Sequence, residues 1–414
     1  MLIVGAAVGA GVAYVGISST GIGAGLCSSG RTLTIGALYD LSGELSNQGN
    51  RAKISSGIAI SDINAFLTQA GCNLKFAVNV NDYGLDNQKG LTALQSFAAS
   101  GVHVVIGPLN SGTAQFILSY ANSNHIVLIS PSSTSPALAL ADDYLFRTVP
   151  NDAAQGLADA RMLRDRGADA VVMINRKDTC GDGLAIATEK RFTALGGFVQ
   201  SKISYDTTTT DFTSVLTQLN ADYATADAAH PGKVAIFAIT FEEFRTLIIQ
   251  ANQQHPNLLT GPLPWFGTDG QADNGVIISN STAGPLVAQV TLPSTLYAPT
   301  NNSKTVDLAT RFASQVSGET CDSYCLGAYD NLWLAAQATL QAGSYDGTKI
   351  QKVLSTVASN TFGVTGWLGL ESSGDRIPTS YQIWKAILQV NTPTWVLAGI
   401  WDKSTDSITW TSPP

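Results

Sequence analysis

The feature that most constrains this chain is an alternation of short apolar runs with longer amphipathic stretches, which runs through once and then starts again. Leu33–Leu38 (LTIGAL) is an apolar run bounded by polar residues, the pattern of a buried strand. Ala52–Leu67 then carries Ile54, Ile58, Ile63 and Phe66 at helical spacing. Leu74–Val80, Val102–Gly107 and Ile126–Ser130 read as further strands, separated by helices over Asn87–Ala99 and Ser111–Ala121. Strands that alternate with helices predict a parallel sheet covered on both faces. The pattern resumes with a helix over Asn151–Arg166. Strands over Ala170–Ile174, Phe198–Ile203 and Lys233–Ile239 follow, alternating with helices over Gly181–Leu195, Asp211–Leu219 and Phe241–Asn252. Pro150 marks the join. Two successive α/β series in 414 residues predict two doubly wound lobes.

After these come an apolar run at Val287–Leu292 and helices across Val306–Val316, Ser323–Ala342 and Lys349–Val357. Tyr381–Gln389 and Trp395–Trp401 alternate in the manner of antiparallel strands. The predicted division is residues 1–30 as an apolar helix and Gly/Ser linker. Residues 31–148 and 287–376 form a first lobe, and residues 149–286 and 377–414 a second.

The first thirty residues contain no charge. As a helix, Met1–Gly16 would be roughly 24 Å long, a little short of the ~30 Å hydrocarbon core of a bilayer. The first basic residue is Arg31, so the basic start of a secretory leader is missing. Three readings stand: a leader without its basic region, a membrane anchor, or a chain whose basic leader has been removed in the manner of pilins, as archaeal surface proteins can do. Gly5 and Gly9 have the spacing that lets helix backbones approach closely, so self-assembly through Met1–Gly16 is an alternative to anchoring. Leu26 before Cys27 disfavours a lipoprotein site, and Ser18–Gly30 reads as a flexible linker.

Charged residues are only 13% of the chain, the net charge is −8, and no Lys/Arg-rich run occurs, which excludes a nucleic-acid footprint. Cys321 and Cys325, four apart, read as a short disulfide or two buried thiols; no His or further Cys lies near enough for a metal site. No nucleophile elbow, phosphate loop or zinc motif is present, so neither a catalytic residue nor a cofactor is predicted. Asn280-Ser281-Thr282 and Asn301-Asn302-Ser303 fit glycosylation acceptors at Asn280 and Asn301.

In open α/β sheets ligands bind at the carboxyl ends of strands. Three such ends are rich in hydroxyls and glycine: Tyr39–Gly43, Gly107–Thr113 with Asn110 and Ser111, and Ser130–Pro136 with Ser132 and Thr134. Backbone N–H groups and hydroxyls at helix starts suit a carboxylate. Each loop alone would equally serve as a cap or turn.

The ordered set IGALYDLSGELSNQG, VVIGPLNSGTAQ, IVLISPSSTSP, LFRTVPND, CGDGLA, DFTSVLTQL, FGTDG and AYDNLWLAAQA resembles the branched-chain amino-acid-type (type I) solute-binding proteins of ABC transporters, over roughly Thr32 to Trp401. The resemblance implies two lobes joined by three crossovers, with a small polar ligand such as an amino acid in the cleft. It implies that Ser111, Ser132 and Thr134 hold the ligand carboxylate. It also implies that Asp269, in Gly-Thr-Asp-Gly, receives the ammonium; a surface turn is the competing reading of that aspartate. Where the family often has an aromatic wall, this chain has Cys180, with Thr240 and Phe241 at the neighbouring wall. Tyr39 and Tyr329 are candidate apolar walls, although Tyr329 equally suits helix packing. The function implied is an extracellular, surface-held receptor that hands solute to an ABC permease. A pilus-like filament subunit and a sensory ectodomain are the alternatives.

Overall fold

The structure, a computed structural model, describes residues 24–263 and 265–412. The predicted helix Met1–Gly16 lies outside the described residues. No helix among those described is long and apolar enough to cross a membrane. The predicted linker is fixed at its end: Ala24–Cys27 form one helical turn, and Leu26 and Cys27 are buried. A Cys27–Cys72 disulfide and a bond from Asn73 N–H to the Cys27 carbonyl (2.8 Å) tie this segment down.

The described chain divides into two compact units. Unit 1 comprises residues up to 134, 138–150 and 299–377; unit 2 comprises 135–137, 151–298 and 378 onward. Apart from the excursion at 135–137, the backbone passes from one to the other after Pro150, Ala298 and Ile377.

Unit 1 is built on β1 (Thr32–Tyr39), β2 (Lys75–Asp82), β3 (Val104–Ile106), β4 (Val127–Ser130) and β5 (Leu145–Arg147). They form one parallel sheet in the order β2-β1-β3-β4-β5. Register pairs such as Gly36–Val105 and Val105–Leu128 place the apolar runs side by side. β3 and β4 are buried along their whole length, which is why the sequence shows them as uninterrupted runs. Helices Asn87–Ala99 and Ser111–Ser123 contribute Leu94, Phe97 and Ile117 to a core with Leu38, Val105 and Leu128. Helices Ser46–Gln69, Ser303–Gln315 and Ser323–Ala342 contribute Ile58, Phe312 and Leu326 to another cluster. Caps fix the helix ends: Asp86 accepts from Gln88 and Lys89 N–H, and Asp322 from Tyr324 and Cys325 N–H.

Unit 2 contains β6 (Ala170–Arg176), β7 (Phe198–Tyr205), β8 (Val234–Ile239) and β9 (Trp265–Phe266), parallel in the order β7-β6-β8-β9. β10 (Ser294–Ala298) belongs here too. Between it and the last strands of the chain lies a small unit 1 hairpin of β11 (Phe362–Gly363) and β12 (Gly366–Trp367). β13 (Ser380–Gln389), β14 (Thr392–Asp402) and β15 (Ser407–Trp410) then join β10 in an antiparallel sheet of order β10-β13-β14-β15. An isolated parallel bridge, Gly267–Ser294, connects the two sheets.

The antiparallel strands expected near the end of the chain are present, as the four-stranded sheet β10-β13-β14-β15 beside the parallel sheet of unit 2. One expectation is corrected. The run Val287–Leu292 is not the start of a return to the first lobe. It is the end of helix Ala283–Gln289 and a turn in which Thr291 and Leu292 have positive φ. Its apolar residues, Val287, Val290 and Leu292, are buried in the unit 2 core. The chain leaves unit 2 only after β10 has paired with β13, and residues 287–298 belong to unit 2.

Candidate functional site

In unit 1, the loops after β1, β3 and β4 are held by buried polar bonds. Asp40 accepts from Gly43 N–H and Leu45 N–H, both at 2.7 Å. Burial raises its carboxyl above the usual range, while these bonds oppose the shift. Helix Ser46–Gln69 comes so close that a Cβ on Gly49 would lie 1.6 Å from the Asp40 carbonyl oxygen, so only glycine fits. Tyr83 donates to Asn110 Oδ1 (2.8 Å), and its hydroxyl accepts from Leu109 N–H (3.2 Å) and Asn110 N–H (3.3 Å).

Ser111 opens helix Ser111–Ser123, and its Oγ accepts from Thr134 N–H at 3.1 Å, joining the loops after β3 and β4. Ser130 Oγ donates to the Pro108 carbonyl (2.6 Å) and accepts from Ser132 and Ser133 N–H (3.3 and 2.9 Å). The structure therefore gathers Asn110, Ser111, Ser132 and Thr134, all buried, into one hydroxyl- and amide-lined rim. Ser133 completes it: its Oγ is buried without a hydrogen-bond partner among the described residues.

Behind this rim, the Arg147 guanidinium donates to the Ser133 carbonyl (3.2 Å) and forms a two-pronged pair with Asp375 at 2.6 and 2.8 Å. Thr148 Oγ1 donates to Asn331 Oδ1 (2.6 Å), whose amide donates to the Ile129 carbonyl (3.1 Å).

One sequence expectation is displaced, at Tyr39, and one pair of alternatives is decided, at Tyr329. Tyr39 is not a wall: its ring is wholly buried within unit 1, and its hydroxyl bonds Ser56 Oγ of helix Ser46–Gln69 at 2.8 Å. Tyr329 is a packing residue, its hydroxyl donating to Asp62 Oδ2 (2.7 Å), a carboxylate also paired with Arg311. Cys321 and Cys325 form a disulfide.

In unit 2, Asp269 follows β9 in a turn held by Gln271, whose Oε1 accepts from Thr268 N–H (2.8 Å) and whose amide donates to Thr240 Oγ1 (2.6 Å). Asp269 is buried, not a surface turn residue, and accepts from Gln155 Nε2 at 3.0 Å. The same amide reaches Thr295 Oγ1 at 3.2 Å, and Thr295 donates to Asp159 Oδ1 at 2.6 Å. Asp159 also accepts from Thr188 Oγ1 (3.3 Å). Burial raises its carboxyl well above the usual range, reinforced by Asp269 and Asp152.

Cys180 lies in the first turn of helix Thr179–Ala194, whose cap Asp178 accepts from Cys180 and Gly181 N–H. Its thiol is free and buried, and burial together with Asp152, Asp178 and Asp269 keeps it protonated. Phe241 lies beneath the Arg176 guanidinium, 3.9 Å from the ring centre, and Arg176 is paired with Glu243 and Asp178. Unit 2 thus brings Asp269, Cys180 and Phe241 to one region. It adds Asp152, Gln155 and Asp159 on helix Asp152–Asp165 and Tyr381 on β13, none of which the motif reading selected. Their signal was present as a spacing of three and seven residues along a helix, which places them on one face.

Of the two asparagines that fit glycosylation acceptors, Asn301 is exposed. Asn280 is half-buried, and its Oδ1 accepts from Thr282 and Ala283 N–H.

An alternating α/β chain with a hydroxyl rim at the strand ends of one unit and a buried carboxylate beyond a strand of the other has the type I periplasmic binding protein fold. A leucine-binding protein from Thermotoga maritima superposes with a TM-score of 0.74 at 19% identity, covering 90% of this chain and 99% of that one. The family model described as the receptor family ligand binding region matches residues 52–389, and the chain belongs to that family. An uncharacterized protein of Methanocaldococcus jannaschii is 31% identical over 402 residues, 92% of this chain and 93% of its own length. The Leu/Ile/Val-binding protein homolog 1 of Brucella suis is 27% identical over 319 residues, 75% and 79% of the two chains. The Thermotoga and Brucella relatives are named as amino-acid-binding proteins.

Proposed function

We propose that this chain is an extracellular receptor that binds a small zwitterionic solute, an amino acid or a close analogue, and delivers it to an ABC permease. Unit 1 supplies the site for the solute carboxylate through Ser111, Ser132 and Thr134. Unit 2 supplies Asp269 for the ammonium, with Cys180 and Phe241 shaping the side-chain space. The observation that carries this reading is the unit 1 rim, where buried hydroxyls and N–H groups gather and Ser133 Oγ has no partner among the described residues. Buried polar groups are normally satisfied, and a bound carboxylate would accept from such a set. A thiol in place of an aromatic wall enlarges the side-chain space, so the solute need not be branched-chain. Two disulfides favour an oxidising compartment, and exposed Asn301 is a glycosylation acceptor there.

Thermal shift and calorimetry with the twenty amino acids, their amides and dipeptides test the reading. A true ligand raises the melting temperature, since it binds only the folded chain. S111A and D269N should each weaken its binding at least tenfold. If no compound in the panel binds, the reading is wrong. Anchoring or filament assembly through Met1–Gly16 is a separate property, read by electron microscopy of the chain with and without those residues.

A further inference from the structure

Unit 2 holds more acidic and polar capacity than one ammonium requires. Helix Asp152–Asp165 turns one stripe, Asp152, Gln155 and Asp159, inward, and all three are buried. The stripe faces the sheet surface that carries Thr295, because Thr295 Oγ1 bonds both Gln155 and Asp159. On β10, Tyr297 lies two residues beyond Thr295 and so shares its face. Across the ladder, Tyr297 pairs with Tyr381, the rings 6.2 Å apart. Cross-strand partners share a face, so Tyr381 stands on the surface that meets the acidic stripe. It is 1% exposed, yet its hydroxyl has no hydrogen-bond partner among the described residues. After burial itself, Asp152, Asp269 and Asp159 are the strongest influences on that phenol, and all three disfavour its ionisation.

A metal ion does not explain this arrangement: among the described residues no three His, Cys, Asp or Glu side chains converge on one point. Separated acceptors suit an organic cation whose N–H groups are themselves separated.

We propose that unit 2 carries a second cation subsite, formed by Asp152, Asp159 and the Tyr381 hydroxyl beside Asp269, and that the solute carries a second basic nitrogen in addition to its α-ammonium. The inference rests on the solute-receptor reading and narrows its substrate to dibasic amino acids. Asp269 takes the α-ammonium. The side-chain ammonium or guanidinium donates to the Tyr381 oxygen, which has no other partner among the described residues, and its charge is balanced by the carboxylates of the stripe. A buried hydroxyl without a partner is unfavourable, and an N–H of a cationic group donating to it would satisfy it beside the acidic stripe.

The test is calorimetry on the full chain at pH 7.5 with lysine, ornithine and arginine against norleucine and leucine. Lysine and norleucine differ chiefly in the ε-ammonium. The expected result is at least one dibasic amino acid bound tenfold or more tighter than the neutral pair. Y381F, which removes only the hydroxyl, should lower the dibasic-to-neutral affinity ratio at least fivefold, and D159N should act in the same direction. The unliganded melting temperature checks that each variant folds, and if D159N does not, Y381F alone decides. Neutral amino acids binding as tightly as dibasic ones, or an unchanged ratio in Y381F, overturns the inference and leaves the receptor reading intact. Binding of neither class removes both.

Discussion

Replacing Asp375 with asparagine keeps the side chain's shape and deletes its charge. The effect follows from the surroundings of Arg147. The two side chains are 0% and 1% exposed and meet through two bonds of 2.6 and 2.8 Å. The backbone repeats the link: Arg147 N–H donates to the Gly374 carbonyl (2.9 Å) and Arg376 N–H to the Arg147 carbonyl (2.8 Å). D375N therefore leaves a guanidinium in the interior without its counter-charge, a change that costs about 3–5 kcal/mol. Unit 1 has about 200 residues, for which the entropy of unfolding makes that loss about 7–12 °C in melting temperature. R147M should cost a similar amount by stranding the carboxylate. The double variant R147M/D375L should recover most of the loss, because an apolar pair of similar volume often replaces a buried ion pair without penalty. It should not recover solute affinity, because the donor to the Ser133 carbonyl is gone and the Ser132–Thr134 loop loses its brace. Calorimetric melting of the four proteins, with solute binding measured alongside, checks all three expectations. A D375N protein melting within about 1 °C of the parent would refute the reasoning, since it would mean that the buried guanidinium tolerates the loss of its counter-charge.

Two further outcomes follow from the same structure. Converting Cys27 and Cys72 to serine opens a covalent loop of 45 residues and should cost about 4 kcal/mol by the chain-entropy relation, against about 2 for Cys321 and Cys325, four residues apart; equal losses in urea titrations would contradict this ordering. Asp143 is raised to about 6, first by burial and against its bond from Leu145 N–H. A carboxyl raised in the folded state contributes fully below the unfolded value near 3.8, and its contribution is lost as pH rises toward 6. D143N, which can keep the Leu145 bond, should therefore melt higher than the parent at pH 7.5, by an amount worth about 1 kcal/mol after allowance for solvent, with the gap closing by pH 3.5. A gap that widens toward acid would show the sign to be wrong.

The parallel strands were legible because burial on both faces writes them as unbroken apolar runs, as at Val104–Ile106 and Ala170–Arg176. β9 was not, since two residues carry no periodicity, and without it the position of β10 beside β13 could not be read. The unit 1 rim could be found because hydroxyls follow strand ends just where helices begin. Tyr39 could not be placed, because nothing near it in sequence announces Ser56 as its partner seventeen residues on. The unit 2 stripe was hidden for a different reason. Polar residues at Asp152, Gln155 and Asp159 have the spacing of a solvated helix face, and only the folded chain shows that face turned inward. Where a polar helix face turns into the interior, amphipathicity read as outside-versus-inside points the wrong way.

The Cys27–Cys72 bond also decides how a pull on the chain's beginning would be carried. Tension arriving before Cys27 crosses the sulfur bridge and enters the fold at Cys72, beside the first residues of β2. Everything between, β1 and helix Ser46–Gln69 included, is short-circuited and bears no load. A pull applied before Cys27 would leave the Asp40 turn slack, and reducing that one bridge would transfer the strain directly onto β1.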